Sequence, residues 1–136
     1  MTLTEKRVAL VTGASTGIGR AEAVALAKAD YNVAINYARS TLEAEKTASL
    51  CSDVGVDTLV IQADVAEEAE VVRMIDEVKA RFQRLDVLCN NAGTTTTGLA
   101  WQFEQIAVED WDRVFNVNVR GVFLVTKHAA PLLKAS

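Results

Sequence analysis

Apolar residues along this chain are grouped in two ways. Four short stretches are almost continuously apolar: Arg7–Val11, Val33–Asn36, Thr58–Ile61 and Leu85–Cys89, each rich in Val, Ile or Leu. Unbroken apolarity over so few residues suits strands buried on both faces, as in a parallel sheet. Helical patterns lie between them. Gly17–Asp30 is alanine-rich and opens directly from a glycine loop. The segment from Ser40 to about Ser52 opens with Ser40-x-x-Glu43, a capping-box pattern. Glu67–Phe82 sets Val71, Ile75, Val78 and Phe82 along one helical face. Strands and helices alternating at these lengths predict right-handed βαβ units and an open α/β sheet covered on both sides.

The last third is harder to assign. Val114–Val119 alternates apolar and polar residues as a strand would, and its β-branched residues favour that reading. Over a longer span, Trp111, Val114, Asn118, Val122, Val125, Ala129 and Leu132 make a helical stripe of about six turns. Glu109 and Asp110 stand at its start, where the macrodipole favours acids. Length decides for one long helix, Trp111–Lys134.

Composition narrows the function classes. The 136 residues fit one domain, 1–136, with a core of its own. A net charge of −4 offers no basic footprint for nucleic acid or anionic lipid, so neither is expected as a partner. The most apolar stretch, Val114–Leu133, is interrupted by Arg120, Lys127 and His128, so it is not expected to span a membrane. No apolar run precedes Lys6 and Arg7, so no signal peptide is expected. Cys51 and Cys89 are far apart in apolar contexts, which suits buried thiols in a reducing cytoplasm. With one histidine, no metal-ligand spacing exists.

Val8–Thr12 runs straight into Gly13-Ala-Ser-Thr-Gly17-Ile-Gly19 and then a helix. Strand, glycine loop and helix in this order are the context in which glycines cradle a pyrophosphate. Bare backbone approaches the anion, and the helix's positive end holds it. The absence of Gly-Lys-Ser/Thr argues against a nucleotide-triphosphate loop. The plain alternative is a tight turn serving only strand-to-helix packing.

Thr12-Gly13-Ala-Ser15-Thr16-Gly17-Ile18-Gly19 resembles the cofactor loop of short-chain dehydrogenases/reductases. Three further signatures of that family follow in order: Asp64-Val65, Asn90-Asn91-Ala92-Gly93, and Asn118 within Val117–Gly121. The likeness covers essentially the whole chain and leans toward the 3-oxoacyl-carrier-protein reductases. It implies a Rossmann-type doubly wound parallel sheet with strands β1–β4 in order 3-2-1-4, stopping before the usual strands 5–7. It also implies an oxidoreductase interconverting small alcohols and carbonyl compounds with a nicotinamide cofactor.

The resemblance assigns the loop residues Gly13, Ser15, Thr16, Gly17, Ile18 and Gly19 to the cofactor. Asp64 would accept a hydrogen bond from the adenine amino group, with Val65 lining that pocket; a helix-capping role for Asp64 is the alternative. Asn91, Ala92 and Gly93 would pass close to a ribose. At the end of the second strand, Asn36-Tyr37-Ala38-Arg39-Ser40 lacks the acid that pairs with a ribose 2′-hydroxyl. Arg39 could pair with a 2′-phosphate and Ser40 could donate to it, so NADP(H) is favoured over NAD(H), with Tyr37 beside them. The alternative leaves Arg39 solvated and Ser40 as a helix cap. Thr16 stands where many NADP-specific relatives carry a second basic residue.

Of the family's Asn-Ser-Tyr-Lys set, only Asn118 can be placed, as part of a water-borne proton relay. Tyr31 and Tyr37 are followed four positions on by Ile35 and Thr41, so no Tyr-x-x-x-Lys occurs. A carbonyl reductase needs a proton donor for the developing alkoxide. The chain is therefore expected to be a piece of a longer reductase and inactive alone. A non-catalytic nucleotide-binding or oligomerisation module is the competing expectation. The resemblance also implies homo-oligomer formation through helix 111–134. Substrate-side residues are confined to Thr94–Val108, where Leu99, Trp101 and Phe103 line a pocket or pack the loop.

Overall fold

A computed structural model of the chain describes residues 5–96 and 102–136. Strands β1 (Val8–Val11), β2 (Asn32–Tyr37), β3 (Thr58–Gln62) and β4 (Val87–Cys89) form one parallel sheet in the order β3-β2-β1-β4. The two central strands are buried along their whole length, whereas β3 and β4 at the edges are only partly covered. That gradient is why β1 is apolar throughout and β2 is apolar from Val33 to Ile35, its two asparagines, Asn32 and Asn36, being buried at the strand's ends.

Side chains alternate across the sheet into two cores. Val8, Leu10 and Ala34 point toward α3 (Glu68–Phe82) and α5 (Gly121–Ala135), meeting Val71, Met74, Val78, Phe82, Leu124 and Val125. Val11, Val33 and Ile35 point the other way, toward α1 (Gly17–Lys28) and α2 (Thr41–Ser52). There the helices present Ala23, Ala27, Ala44 and Ala48, small enough to lie close on the strands. Both clusters end at the same edge, the carboxyl ends of the strands.

Local chemistry explains most boundaries. Ser40 caps α2, its hydroxyl accepting from the Glu43 amide at 3.2 Å. Helix α1 stops at Lys28 rather than Asp30, because Asp30 turns left-handed at φ 67°. Leu85 and Asp86 fall outside β4, yet Asp86 closes the sheet's lower end: its carboxylate accepts from the Val8 amide, and its amide donates to the Val8 carbonyl.

The final segment is helical, so the strand reading of Val114–Val119 gives way. It is not one regular helix, however. Helix α4 (Val108–Phe115) passes through a π turn, Asn116–Arg120, into α5. Inserting one residue into the ladder shifts the hydrogen bonds from i+4 to i+5, a device that recurs at functional sites. Among the described residues no helix is long and apolar enough to cross a membrane.

Candidate functional site

The carboxyl ends of all four strands open on one groove of about 600 Å³, with Gly13, Ser15 and Thr16 on one wall and Asn91, Ala92 and Gly93 beside them. Open α/β sheets bind ligands at this edge. The loop between β1 and α1 is held from behind by its carbonyls. Gly13's carbonyl accepts from Asn91 Nδ2 at 2.9 Å, Ala14's from the Thr47 hydroxyl at 2.8 Å, and Ser15's from an Arg20 NH2 at 2.6 Å. Three successive carbonyls are thus tied to side chains. The Gly13 and Ala14 amides donate to Asn36 Oδ1 at 3.1 Å and to the Asn36 carbonyl at 2.8 Å, so the amides left for a ligand are those from Ser15 onward. Thr16, the residue before α1, offers those amides no side-chain cap, and the first turn of α1 holds no acid. The helix's positive end is left unneutralised, the condition an anion site needs.

Two glycines make this turn possible. Gly13 and Gly17 adopt φ of 60° and 59°, where a side chain is strained. They differ in surroundings: a Cβ on Gly13 would meet Ala92 Cα at 2.8 Å, while one on Gly17 would meet nothing within 4 Å. Gly17 therefore faces open space, and Ile18 beside it is exposed, although neither is among the residues that line the groove. Gly19 is buried against the Gly13 carbonyl and the Asn91 side chain, so its task is packing.

The second wall comes from the end of β2. Arg39 and Ser40 line the groove, and Arg39 is exposed with no carboxylate partner among the described residues. Ser40's oxygen serves the helix cap, which leaves its proton free to donate. Tyr37 does not join them. It is buried with Val33 and Ile35 in the α1–α2 core, its hydroxyl 2.8 Å from Thr41 Oγ1. Asn36, 1% exposed, acts as a strut instead: Oδ1 accepts from the Gly13 amide at 3.1 Å and Nδ2 donates to the Ala63 carbonyl at 3.1 Å.

Asp64 and Val65 form the far wall. Asp64 Oδ1 accepts from the Ala66 amide at 2.9 Å, a local turn, while α3 itself starts at Glu68 without a side-chain cap. The carboxylate thus serves the turn and still lines the groove. Opposite, Thr12 fixes the Asn91-Ala92-Gly93 segment: its hydroxyl oxygen accepts from the amides of Asn91 and Ala92, both at 3.0 Å.

At the groove's last corner Asn118, in the π turn, grips Thr94. Its Oδ1 accepts from the Thr94 amide at 2.7 Å, and its Nδ2 donates to the Thr94 carbonyl at 2.9 Å. Asn118 is exposed, but its side-chain amide is spent on this grip. Arg113 adds two bonds of 2.6 Å, to Thr94 Oγ1 and the Thr95 carbonyl. Leu99 and Trp101 lie outside the described residues; Phe103 starts a short turn of 3-10 helix and is exposed.

Close by, burial above all pushes the Cys89 thiol at the end of β4 up, reinforced by the Glu22 carboxylate. The residues that sequence reasoning missed are the braces: Thr12, Arg20, Asn36, Thr47, Thr94 and Arg113. Two left a signal. Thr12 is a polar residue closing an apolar strand, and Arg20 is a cation at the helix end where the macrodipole disfavours it.

The family model for short chain dehydrogenases matches residues 7–136. A 3-oxoacyl-(acyl-carrier-protein) reductase FabG of Staphylococcus aureus is 47% identical over 123 residues, 90% of this chain and 49% of that protein. A short chain dehydrogenase/reductase, AacuN, of Aspergillus aculeatus is 42% identical over 90% of this chain and 46% of its own length. Among solved structures, a short-chain dehydrogenase/reductase from Burkholderia xenovorans superposes with a TM-score of 0.92 at 37% identity, over 97% of this chain and 54% of that one. A Serratia marcescens short-chain dehydrogenase/reductase follows at 0.88 and 38%, over 97% of this chain and 53% of that one. The chain spans about half the length of the relatives it matches.

Proposed function

The chain belongs to the short-chain dehydrogenase family, and on that footing we propose that it is the NADP(H)-binding part of a reductase interconverting alcohols and carbonyl compounds. One observation carries the proposal. A loop with its carbonyls tied back and its helix end uncapped shares a groove with Arg39, a cation that has no carboxylate partner among the described residues. An acid near Arg39 would repel a 2′-phosphate; Asn36, Ala38 and Ser40 bring none.

In this proposal the amides from Ser15 to Gly19 hold the pyrophosphate, and Arg39 with Ser40 holds the 2′-phosphate. Asp64 and Val65 receive the adenine, and Asn91, Ala92 and Gly93 flank the second ribose. Asn118 keeps the Thr94 turn in place at the reacting end. When bound, the nicotinamide exchanges a hydride with the carbonyl carbon. These residues bind and orient; the chain contains no Tyr-x-x-x-Lys to deliver a proton. We therefore expect the 136-residue chain to take up nucleotide without turning over a carbonyl substrate. Cys51 and Cys89, both free thiols, fit a reducing cytoplasm.

Self-association through the long helix is part of the same proposal. Trp111 and Phe115 stack at 4.5 Å between ring centroids on its outer face, and Val119 and Phe123 continue that apolar surface. A purely non-catalytic module is less well supported, since the relatives carry the names of reductases and dehydrogenases.

Titration of the purified chain with NADPH and with NADH by calorimetry tests the cofactor assignment. Micromolar NADPH binding, about tenfold or more tighter than NADH, is expected for one charge-assisted phosphate pair. Arg39→Ala should remove the difference while sparing NADH. Equal affinities in the unaltered chain would reject NADP(H), and no binding of either nucleotide would reject the whole assignment.

A further inference from the structure

The geometry points to Arg20 as a positioning residue that sets the NADP(H)-over-NAD(H) choice, an inference that rests on the cofactor assignment above. Arg20 does not line the groove; it lies on the opposite side of the glycine loop, between α1 and α2. A cation at the N-terminal end of a helix is opposed by the macrodipole, so its presence there calls for strong partners. It has four. One NH2 reaches the Ser15 carbonyl at 2.6 Å, the Glu43 carbonyl at 3.0 Å and Glu43 Oε2 at 2.9 Å, while Nε donates to Thr47 Oγ1 at 3.0 Å.

These bonds form a continuous path between the two phosphate-facing segments. At one end is the glycine loop, through the Ser15 carbonyl and, by way of the fully buried Thr47, the Ala14 carbonyl at 2.8 Å. At the other end is Glu43, whose amide donates to Ser40 Oγ at 3.2 Å, next to Arg39. Lys46 holds the other Glu43 oxygen at 3.1 Å, which keeps that carboxylate in place. The separation of loop and Arg39–Ser40 turn is therefore fixed by a planar fork that no lysine can reproduce.

Both nucleotides use the loop, but only NADP(H) also uses Arg39 and Ser40. Releasing the fork lets α2 shift against the loop, which penalises the ligand that needs both segments at once. Selectivity should fall further than affinity.

The test measures NADPH and NADH affinities for the unaltered chain, Arg20→Gln, Arg20→Lys and Thr47→Val, with thermal unfolding as the check on folding. In Arg20→Gln, NADPH affinity should drop about tenfold, the loss of one geometrically exact charged contact, and NADH affinity about twofold or less. Arg20→Lys and Thr47→Val should move the ratio the same way by smaller factors. If Arg20→Gln fails to fold, the latter two carry the test. Equal weakening of both nucleotides, or no change in either, overturns the inference and leaves the NADP(H) assignment standing. An unaltered chain with no preference overturns both.

Discussion

Between Thr12 and Gly19 the chain answers its own needs: the carbonyls of Gly13, Ala14 and Ser15 each find a donor on another segment, and Gly19 is packed on two sides. Along Val108–Ala135 the opposite holds. Only Gly121, Leu124, Val125 and Ala129 are buried, while Trp111, Phe115, Val119 and Phe123 lie open. A binding loop must be rigid before its ligand arrives, because ordering it later would be subtracted from affinity. An apolar helix face has no such constraint and can wait for another surface. The arm reaches the groove where Asn118 and Arg113 hold Thr94, where Val117 joins the lining, and where Thr126 accepts from Asn90 Nδ2 at 3.0 Å.

The contrast is broken most severely at Gly19. Even a methyl group there runs into the Gly13 carbonyl oxygen and Asn91 Nδ2, backbone and side chain that are themselves fixed. Gly19→Ala should cost about 3 kcal/mol of stability, the upper end for overpacking, and abolish nucleotide binding. Gly17→Ala should cost only about 1 kcal/mol, for the left-handed φ alone, since no atom opposes the new methyl. Urea unfolding and nucleotide titration of the pair decide it. Equal losses would mean that the loop is not held from behind.

On the arm, neighbours on opposite faces give the matching test. Leu124 is 3% exposed and Phe123 59%. Leu124→Ala should lose about 3 kcal/mol, as buried leucines do. Phe123→Ala should change stability by less than about 0.5 kcal/mol, as exposed substitutions do. If the outer face associates, Phe123→Glu should also shift the chain toward monomer in light scattering. A destabilised Phe123 variant would show that this face packs within the chain, and the contrast would fail.

Much of this was legible in the residues. The apolar runs located all four strands, most firmly β1 and β2, which helices cover on both faces, and Gly13–Gly19 located the groove because strand, glycine loop and helix follow one another there. Tyr37 was misjudged although the parity was available: it shares a face with Val33 and Ile35, which the α1–α2 core buries. The π turn escaped notice because a stripe spaced by threes and fours reads smoothly through one inserted residue. The braces were beyond reach for another reason. Arg20 meets Thr47 across 27 residues and Thr12 meets Asn91 across 79, and no local pattern records which distant carbonyl a side chain will find.

An effect smaller than those at Gly19 and Leu124 should come from the far end of β4, the strand shared by groove and arm. Asp86 accepts from Arg84 through both oxygens, at 2.9 and 2.6 Å, and from the Val8 amide at 2.8 Å. The Arg84 hydrogen bonds above all hold its carboxyl below the ordinary value of 3.8, with the Val8 amide and the Arg84 and Arg7 charges helping against burial. A depressed folded-state value means that this stabilisation is present above the unfolded-chain value and is lost as pH falls through the folded one. Asp86→Asn keeps the shape but not the charge, and should cost about 1 kcal/mol near neutrality. Urea midpoints of both chains, taken from neutral pH down into the acid range, should converge as the carboxyl is protonated. A gap that stayed constant would show that Asp86 anchors β4 by shape alone. Because the groove's Asn91–Gly93 segment hangs from the other end of β4, nucleotide affinity of the same variant reports whether the rigid half depends on that anchor. It should be unchanged, since Thr12 and Gly13 hold the upper end independently.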